Sequence, residues 1–180
     1  MCGIVAYVGT KPCQSLLLEG LKRLEYRGYD SSGIAVIQDG ALRVVRAVGR
    51  VSNLEEKLEG LGNFTGRIGL VHTRWATHGG VTEFNAHPHR DDRVGIAVVH
   101  NGIIENYASL KTLLEEKGHV FKSQTDTEVL AMLIGELYEG DLEAAVQAAL
   151  REVTGAYAIA VICEKEPETL IVAVSYTHLT

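Results

Sequence analysis

Strand-like and helix-like stretches are not interleaved one for one in this chain, and that arrangement restricts the folds open to it. Apolar runs of strand length fall at residues 4–8, 34–37, 42–48, 68–72, 94–100, 156–163 and 169–174. Helical periodicity marks 14–26, with Leu17, Leu21 and Leu24 on one face, and a shorter stretch ending near Gly60. Three further helical patterns then run back to back. They cover 106–117 with Leu110, Leu113 and Leu114 inward, 126–138 with Leu130, Leu133, Ile134 and Leu137 inward, and 141–153 with Leu142, Val146, Ala149, Leu150 and Val153 inward. Strands in neighbouring pairs with helices grouped between them favour antiparallel sheets covered by helices over alternating βαβ units. The class expected is α+β.

Local signals sharpen several boundaries. Gln38-Asp39-Gly40 reads as a hairpin, because Asp-Gly suits the positive φ of a tight turn. Ser52-Asn53-Leu54-Glu55 has the spacing of a capping box, and Thr125-x-x-Glu128 looks like the cap of the 126–138 helix. Between 73 and 93 the chain reads as one long loop without a helix.

A chain of 180 residues fits one domain with a sizeable core. A net charge of −6 argues against nucleic acid or an anionic membrane surface as the main partner. No apolar run approaches the ~18–20 residues of a membrane span, and no basic-then-apolar leader opens the chain. Cys2, Cys13 and Cys163 are few, far apart and odd in number, which suits a reducing, cytoplasmic setting.

Chemistry-bearing residues gather in five places. Met1-Cys2-Gly3-Ile4 would expose both a thiol and a free α-amine on Cys2 if Met1 is trimmed. A thiolate nucleophile needs a base within hydrogen-bond reach, and an α-amine titrating near ~7.7–8.0 can serve. Equally, Cys2 could be a small apolar filler of a first strand. His72-Thr73-Arg74-Trp75-Ala76-Thr77-His78-Gly79 packs a guanidinium, an indole, a hydroxyl and an imidazole into one turn; Arg74 suits a carboxylate, or else a surface salt bridge. Asn85-Ala86-His87-Pro88-His89 could chelate a metal but lacks a convincing third ligand, so hydrogen-bonded structural histidines fit better. Asn101-Gly102 after a strand offers a side-chain and a backbone N–H side by side, as in an oxyanion hole, or else a type I′ turn. Asp126 at a helix start either favours the helix or presents a carboxylate to an ammonium.

Taken in order, the N-terminal Cys-Gly-Ile, Glu25-Tyr26-Arg27-Gly28-Tyr29-Asp30-Ser31, Thr73-Arg74-Trp75-Ala76-Thr77-His78-Gly79, Asn85-Ala86-His87-Pro88-His89, His100-Asn101-Gly102-Ile103-Ile104-Glu105-Asn106 and Thr125-Asp126-Thr127-Glu128 resemble the glutaminase domains of the glucosamine-6-phosphate synthases, within the class II glutamine amidotransferases. The resemblance covers residues 1–174. It implies an N-terminal-nucleophile hydrolase fold, a four-layer αββα sandwich of two antiparallel sheets. It further implies that Cys2 attacks the side-chain amide of glutamine, that its α-amine shuttles the proton, and that a γ-glutamyl thioester forms. Asn101 and Gly102 would hold the oxyanion, with Arg27 orienting Cys2. Arg74 would bind the substrate α-carboxylate and Asp126 the α-ammonium. Thr77 and His78 would line the pocket, and Trp75 would guard the exit for ammonia. No metal or organic cofactor is implied. The sugar isomerase portion of that family, which takes fructose 6-phosphate, has no counterpart here, and residues 175–180 depart from the family's wording. A homo-oligomer is expected of the parent. A non-catalytic fragment that binds glutamine or a partner chain, or a glutaminase domain of another class II amidotransferase, are the competing readings.

Overall fold

The computed structural model describes residues 2–76 and 79–175. Two antiparallel four-stranded sheets form its centre. The first has the order β1 (Gly3–Val8), β4 (Ile68–Arg74), β2 (Ser31–Gln38), β3 (Ala41–Val48). The second has the order β5 (His89–Asp91), β6 (Ile96–Ile104), β7 (Gly155–Cys163), β8 (Glu166–Val174). Helices α1 (Gln14–Lys22) and α2 (Val51–Leu61) accompany the first sheet, and α3 (Tyr107–Glu116), α4 (Asp126–Glu136) and α5 (Leu142–Glu152) the second.

Side-chain alternation along the strands divides the interior into three apolar layers. On β2, Ile34 and Val36 join Leu17, Leu21, Leu54 and Leu58 of α1 and α2, while Ala35 and Ile37 face the other sheet. On β6, Ile96 and Val98 join Leu130, Ile134 and Leu142 of α4 and α5, while Ala97 and Val99 face the first sheet. On β7, Ile159 and Val161 lie on the helix side, and Ala160 and Ile162 between the sheets. Central strands buried on both faces need apolar residues at consecutive positions, which these runs supply. The result is the four-layer αββα sandwich expected from the sequence. Each fully buried Leu or Ile contributes about 1.5–3 kcal/mol of hydrophobic stabilisation.

The Asp-Gly turn behaves as read: Asp39 and Gly40 both take positive φ, 53° and 73°, and β2 pairs with β3 down to Gln38–Ala41. Thr125 caps α4, its side chain accepting from the Glu128 N–H. Elsewhere the structure departs from the reading. The first helix stops at Lys22, followed by a 3₁₀ turn at Glu25–Arg27. Helix α2 starts at Val51, so Ser52 lies inside its first turn rather than at the cap; the Tyr29 hydroxyl accepts the Val51 N–H at 2.8 Å instead. Leu113 faces solvent, 47% exposed, and α3 packs through Leu110 and Leu114. The 73–93 stretch is not one loop: β4 runs on to Arg74, and His89–Asp91 forms the short edge strand β5 against β6. Strand β6 runs through Asn101-Gly102 to Ile104, paired with β7 as far as Ile104–Gly155. Asn101-Gly102 is therefore part of a strand and not a type I′ turn.

Candidate active site

Strand parity brings the chemical groups to one end of the space between the sheets. On β4, Ile68 and Leu70 line the inter-sheet layer, and His72 and Arg74 continue that face at the same two-residue interval. On β6, Ala97 and Val99 are followed on the same face by Asn101. On β1, Ile4 and Ala6 pack on the inter-sheet cluster, and Cys2 stands two residues before Ile4. Because β1 pairs with β4 in the register Gly3–Thr73, Cys2 arrives beside Arg74 and Trp75. The apolar layer thus ends in Cys2, His72, Arg74 and Asn101.

These residues open onto a cavity of about 380 Å³. Cys2, Arg27, Arg74, Trp75, Asn101, Gly102 and Asp126 all line it. Thr77 and His78 lie outside the described residues. The cavity also takes in His87, His100, Ile103, Thr125 and Thr127, none of which sequence reasoning had selected for the site.

The Cys2 sulfur accepts the Trp75 N–H at 3.2 Å, and the same sulfur lies 3.8 Å from the Trp75 carbonyl oxygen. Asn101 Nδ2 donates to the Cys2 carbonyl at 3.4 Å, and Asn101 Oδ1 sits 2.8 Å from His72 Nε2. Gly102 has φ of 135°, where a Cβ would run into the Ala156 carbonyl oxygen; only glycine fits at this bend. Arg74 is 3% exposed, which removes the surface salt-bridge reading, and its Nη1 donates to the Gly80 carbonyl at 3.4 Å. Asp126 is 6% exposed and is the first residue of α4 rather than its cap. Its Oδ2 accepts the Ile104 N–H at 2.8 Å, tying the helix start to the end of β6. A buried guanidinium and a buried carboxylate on one cavity suit a ligand that carries both charges.

Several motif residues serve as fasteners. Asp30 accepts from the Ala76 N–H and from Ser31 Oγ, and its own N–H donates to the Arg74 carbonyl at 2.8 Å, so it holds the Arg74–Ala76 turn over Cys2. Asn85 clamps two segments, donating through Nδ2 to the Gly80 carbonyl at 2.9 Å and accepting the Gln124 N–H at 2.9 Å. Asn106 joins the start of α3 to the Glu152 carbonyl and the Thr154 N–H.

At the cavity wall and behind it, four histidines, His72, His87, His89 and His100, are buried together. The rings of His72 and His87 lie with centroids 4.2 Å apart, tilted by 42°, and His87 meets His89 edge-on at 4.8 Å. His87 Nε2 and His100 Nδ1 each lie 2.9 Å from Thr127 Oγ1, and His89 Nε2 lies 2.8 Å from Thr125 Oγ1. Burial pushes the pKa of His72 down to about 4, against the raising effect of its bond to Asn101. Burial also lowers His87 and His89 well below the ordinary value, and lowers His100 in opposition to the nearby Asp126 charge. The cluster is neutral at pH 7. Nε2 of His87 and Nε2 of His89 each meet a threonine hydroxyl, as in the hydrogen-bonded structural reading of these two histidines. Among the described residues no group of three His, Cys, Asp or Glu side chains could hold a metal ion. Among the same residues, no helix is long and apolar enough to cross a membrane.

Residues 72–175 match the family model described as a glutamine amidotransferase domain. The chain is 54% identical to the glutamine–fructose-6-phosphate aminotransferase (isomerizing) of Thermosynechococcus vestitus over 179 residues, covering 96% of this chain and 28% of that protein. It is 52% identical to the protein of the same name from Clostridium acetobutylicum, over 95% of this chain and 28% of that one. The chain thus spans just over a quarter of the length of these curated relatives. Among solved structures, the glutamine phosphoribosylpyrophosphate amidotransferase of B. subtilis superposes with a TM-score of 0.79 at 28% identity, over 97% of this chain and 37% of that one. A second solved structure, titled as the allosteric regulatory enzyme of purine biosynthesis, gives 0.81 at 29% identity, over the same shares of the two chains. The αββα sandwich is accordingly that of the N-terminal-nucleophile hydrolases, and this chain belongs to the glutamine amidotransferase domain family.

Proposed function

We propose that this chain hydrolyses the side-chain amide of L-glutamine with Cys2 as the nucleophile. Once Met1 is removed, the Cys2 α-amine takes the thiol proton, and the sulfur forms a bond to the amide carbon. The carbon–nitrogen bond then breaks, and the departing nitrogen receives that proton and leaves as ammonia. Water cleaves the resulting γ-glutamyl thioester to glutamate and regenerates the thiol. Asn101 Nδ2 and the Gly102 N–H stabilise the oxyanion, each contributing roughly 2.7–4 kcal/mol to the transition state. Arg74 pairs with the α-carboxylate and Asp126 with the α-ammonium, while Arg27 orients Cys2. Trp75, half exposed at the rim, stands between the site and solvent.

One observation carries this reading: a single cavity is lined by the Cys2 thiol, the Asn101 amide and a buried pair of opposite charges. Within a longer chain, the ammonia released would aminate fructose 6-phosphate, as the names of the curated relatives suggest. The test is ammonia release from glutamine by methionine-trimmed chain, with intact mass measured on the same sample. Cys2→Ala is expected to abolish turnover while glutamine still binds; normal turnover by that variant would overturn the assignment. Asp126→Ala is expected to raise KM for glutamine by roughly 10²-fold or more, as loss of a buried charge partner requires. An unchanged KM would leave Asp126 only its bond to Ile104.

A further inference from the structure

His72 was not among the residues selected from the sequence, and nothing in the proposed reaction uses it. It is fully buried, and its side-chain partner is the oxyanion residue itself, with the His100 backbone also acting on the ring. The contact with Asn101 crosses between the sheets, from β4 to β6.

The orientation of the Asn101 amide follows from its two neighbours. On one side stands the Cys2 carbonyl oxygen, which can only accept. If the Asn101 amide were turned over, its oxygen would face that carbonyl oxygen with no hydrogen between them. Nδ2 therefore points toward Cys2, and Oδ1 points toward His72. Oδ1 also only accepts, so the hydrogen in the 2.8 Å contact belongs to His72 Nε2. The other ring nitrogen, Nδ1, is buried without a hydrogen-bond partner. A hydrogen placed there would be an orphaned donor in a dry layer, whereas a bare nitrogen loses less. The tilted His87 ring packs against it at 4.2 Å, and the depressed His72 pKa keeps the ring uncharged.

We propose that His72 is a positioning residue for the oxyanion hole: as the neutral Nε2–H tautomer it donates to Asn101 Oδ1 and so keeps the Asn101 N–H group aimed at the reacting carbon. This rests on the proposed glutaminase reading. Without the His72 donor the amide is free to rotate, and its oxygen would then meet the developing oxyanion with like charge. The effect belongs to the transition state, so it appears in kcat and not in glutamine binding.

Three variants of the full chain, checked for folding by near-UV circular dichroism, separate this role from packing. His72→Phe fills the space without a donor. His72→Gln carries an amide nitrogen near the position of the imidazole Nε2, and His72→Asn carries one near Nδ1. The expectation is a loss of roughly 10²-fold in kcat for Phe and Asn, the scale of a missing oxyanion donor. KM should stay within about threefold, and Gln should recover most of the rate. In an Asn101→Ala background His72→Phe should add nothing further. Wild-type kcat in His72→Phe, equal rates for Gln and Asn, or losses that multiply with Asn101→Ala would each overturn the proposal. Nitrogen NMR on histidine-labelled wild-type chain needs no variant and no activity. It should find the Nε2–H tautomer at His72 from pH 8 to pH 5; an Nδ1–H tautomer would overturn the proposal even if every variant misfolds. If wild-type chain releases no ammonia, the glutaminase reading fails on its own, independently of the tautomer.

Discussion

The space between the two sheets has a middle and an end built from the same strands on the same faces, and the two differ completely in chemistry. In its middle, Ala35, Leu70, Ala97, Val99, Ala160 and Ile162 pack without a polar atom from any side chain. One step of two residues further along β4 and β6, the same faces carry His72 and Asn101, with Cys2 arriving from β1. The strands position the polar end as firmly as the apolar middle. Dry packing then makes each donor and acceptor consequential, because a misdirected one has no water to turn to. Substitutions in the two should therefore act on different quantities: stability alone in the middle, rate as well at the end.

The largest kinetic effect is expected at the polar end. Asn101→Ala should lower kcat by roughly 10²–10³-fold, and leaving the buried His72 Nε2–H without its acceptor should cost about 1–3 kcal/mol of unfolding free energy, measured by steady-state kinetics and urea unfolding on one preparation. Leu70→Ala is the counterpart in the middle. It should lose about 2–5 kcal/mol of stability and leave kcat per folded molecule within about threefold. Loss of catalysis out of proportion to stability in Leu70→Ala would erase the distinction.

Acid sharpens the comparison, because only the polar end titrates. His72 falls from 6.5 in the unfolded chain to about 4 in the folded one. Between those values the unfolded chain holds the extra proton, so stability is fully present above about pH 6.5 and drains as pH falls toward 4. From pH 7 to pH 5 this one residue accounts for a loss of about 2 kcal/mol, seen in urea unfolding at the two pH values. His87, His89 and His100 shift in the same direction and add to it. A His72→Gln variant should show a shallower acid slope. The smallest effect lies far from both regions: Asp141→Ala removes the cap that accepts the Ala144 N–H of α5 and should reduce stability by about 1 kcal/mol with kinetics unchanged.

What was legible in the sequence was local. The Asp39-Gly40 turn and the Thr125 cap depend on a few consecutive residues, and both were readable. Strand β5 was not: three residues, His89-Arg90-Asp91, have no apolar pattern and exist as a strand only through pairing with Ala97 and its neighbours. The helix α2 cap was misread because its acceptor, the Tyr29 hydroxyl, lies twenty-two positions away in the chain. For the site, Cys2, Arg74, Asn101, Gly102 and Asp126 were picked out by residue type and by resemblance to a family. His87, His100 and Thr127 stand in the same motifs without being singled out, since their grouping depends on separate parts of the chain meeting. His72 had a usable signal: it stands two residues beyond Leu70 on a strand whose inward face was already evident.

The central claim is that Cys2 carries the glutamyl group during turnover. Acid-quenching methionine-trimmed chain during glutamine hydrolysis and mapping its peptides by mass tests this directly. The account predicts one added glutamyl group on the N-terminal peptide, attached at Cys2 and absent from Cys2→Ala. Ammonia release with that adduct on another residue, or with unmodified Cys2 at every quench time, would contradict it.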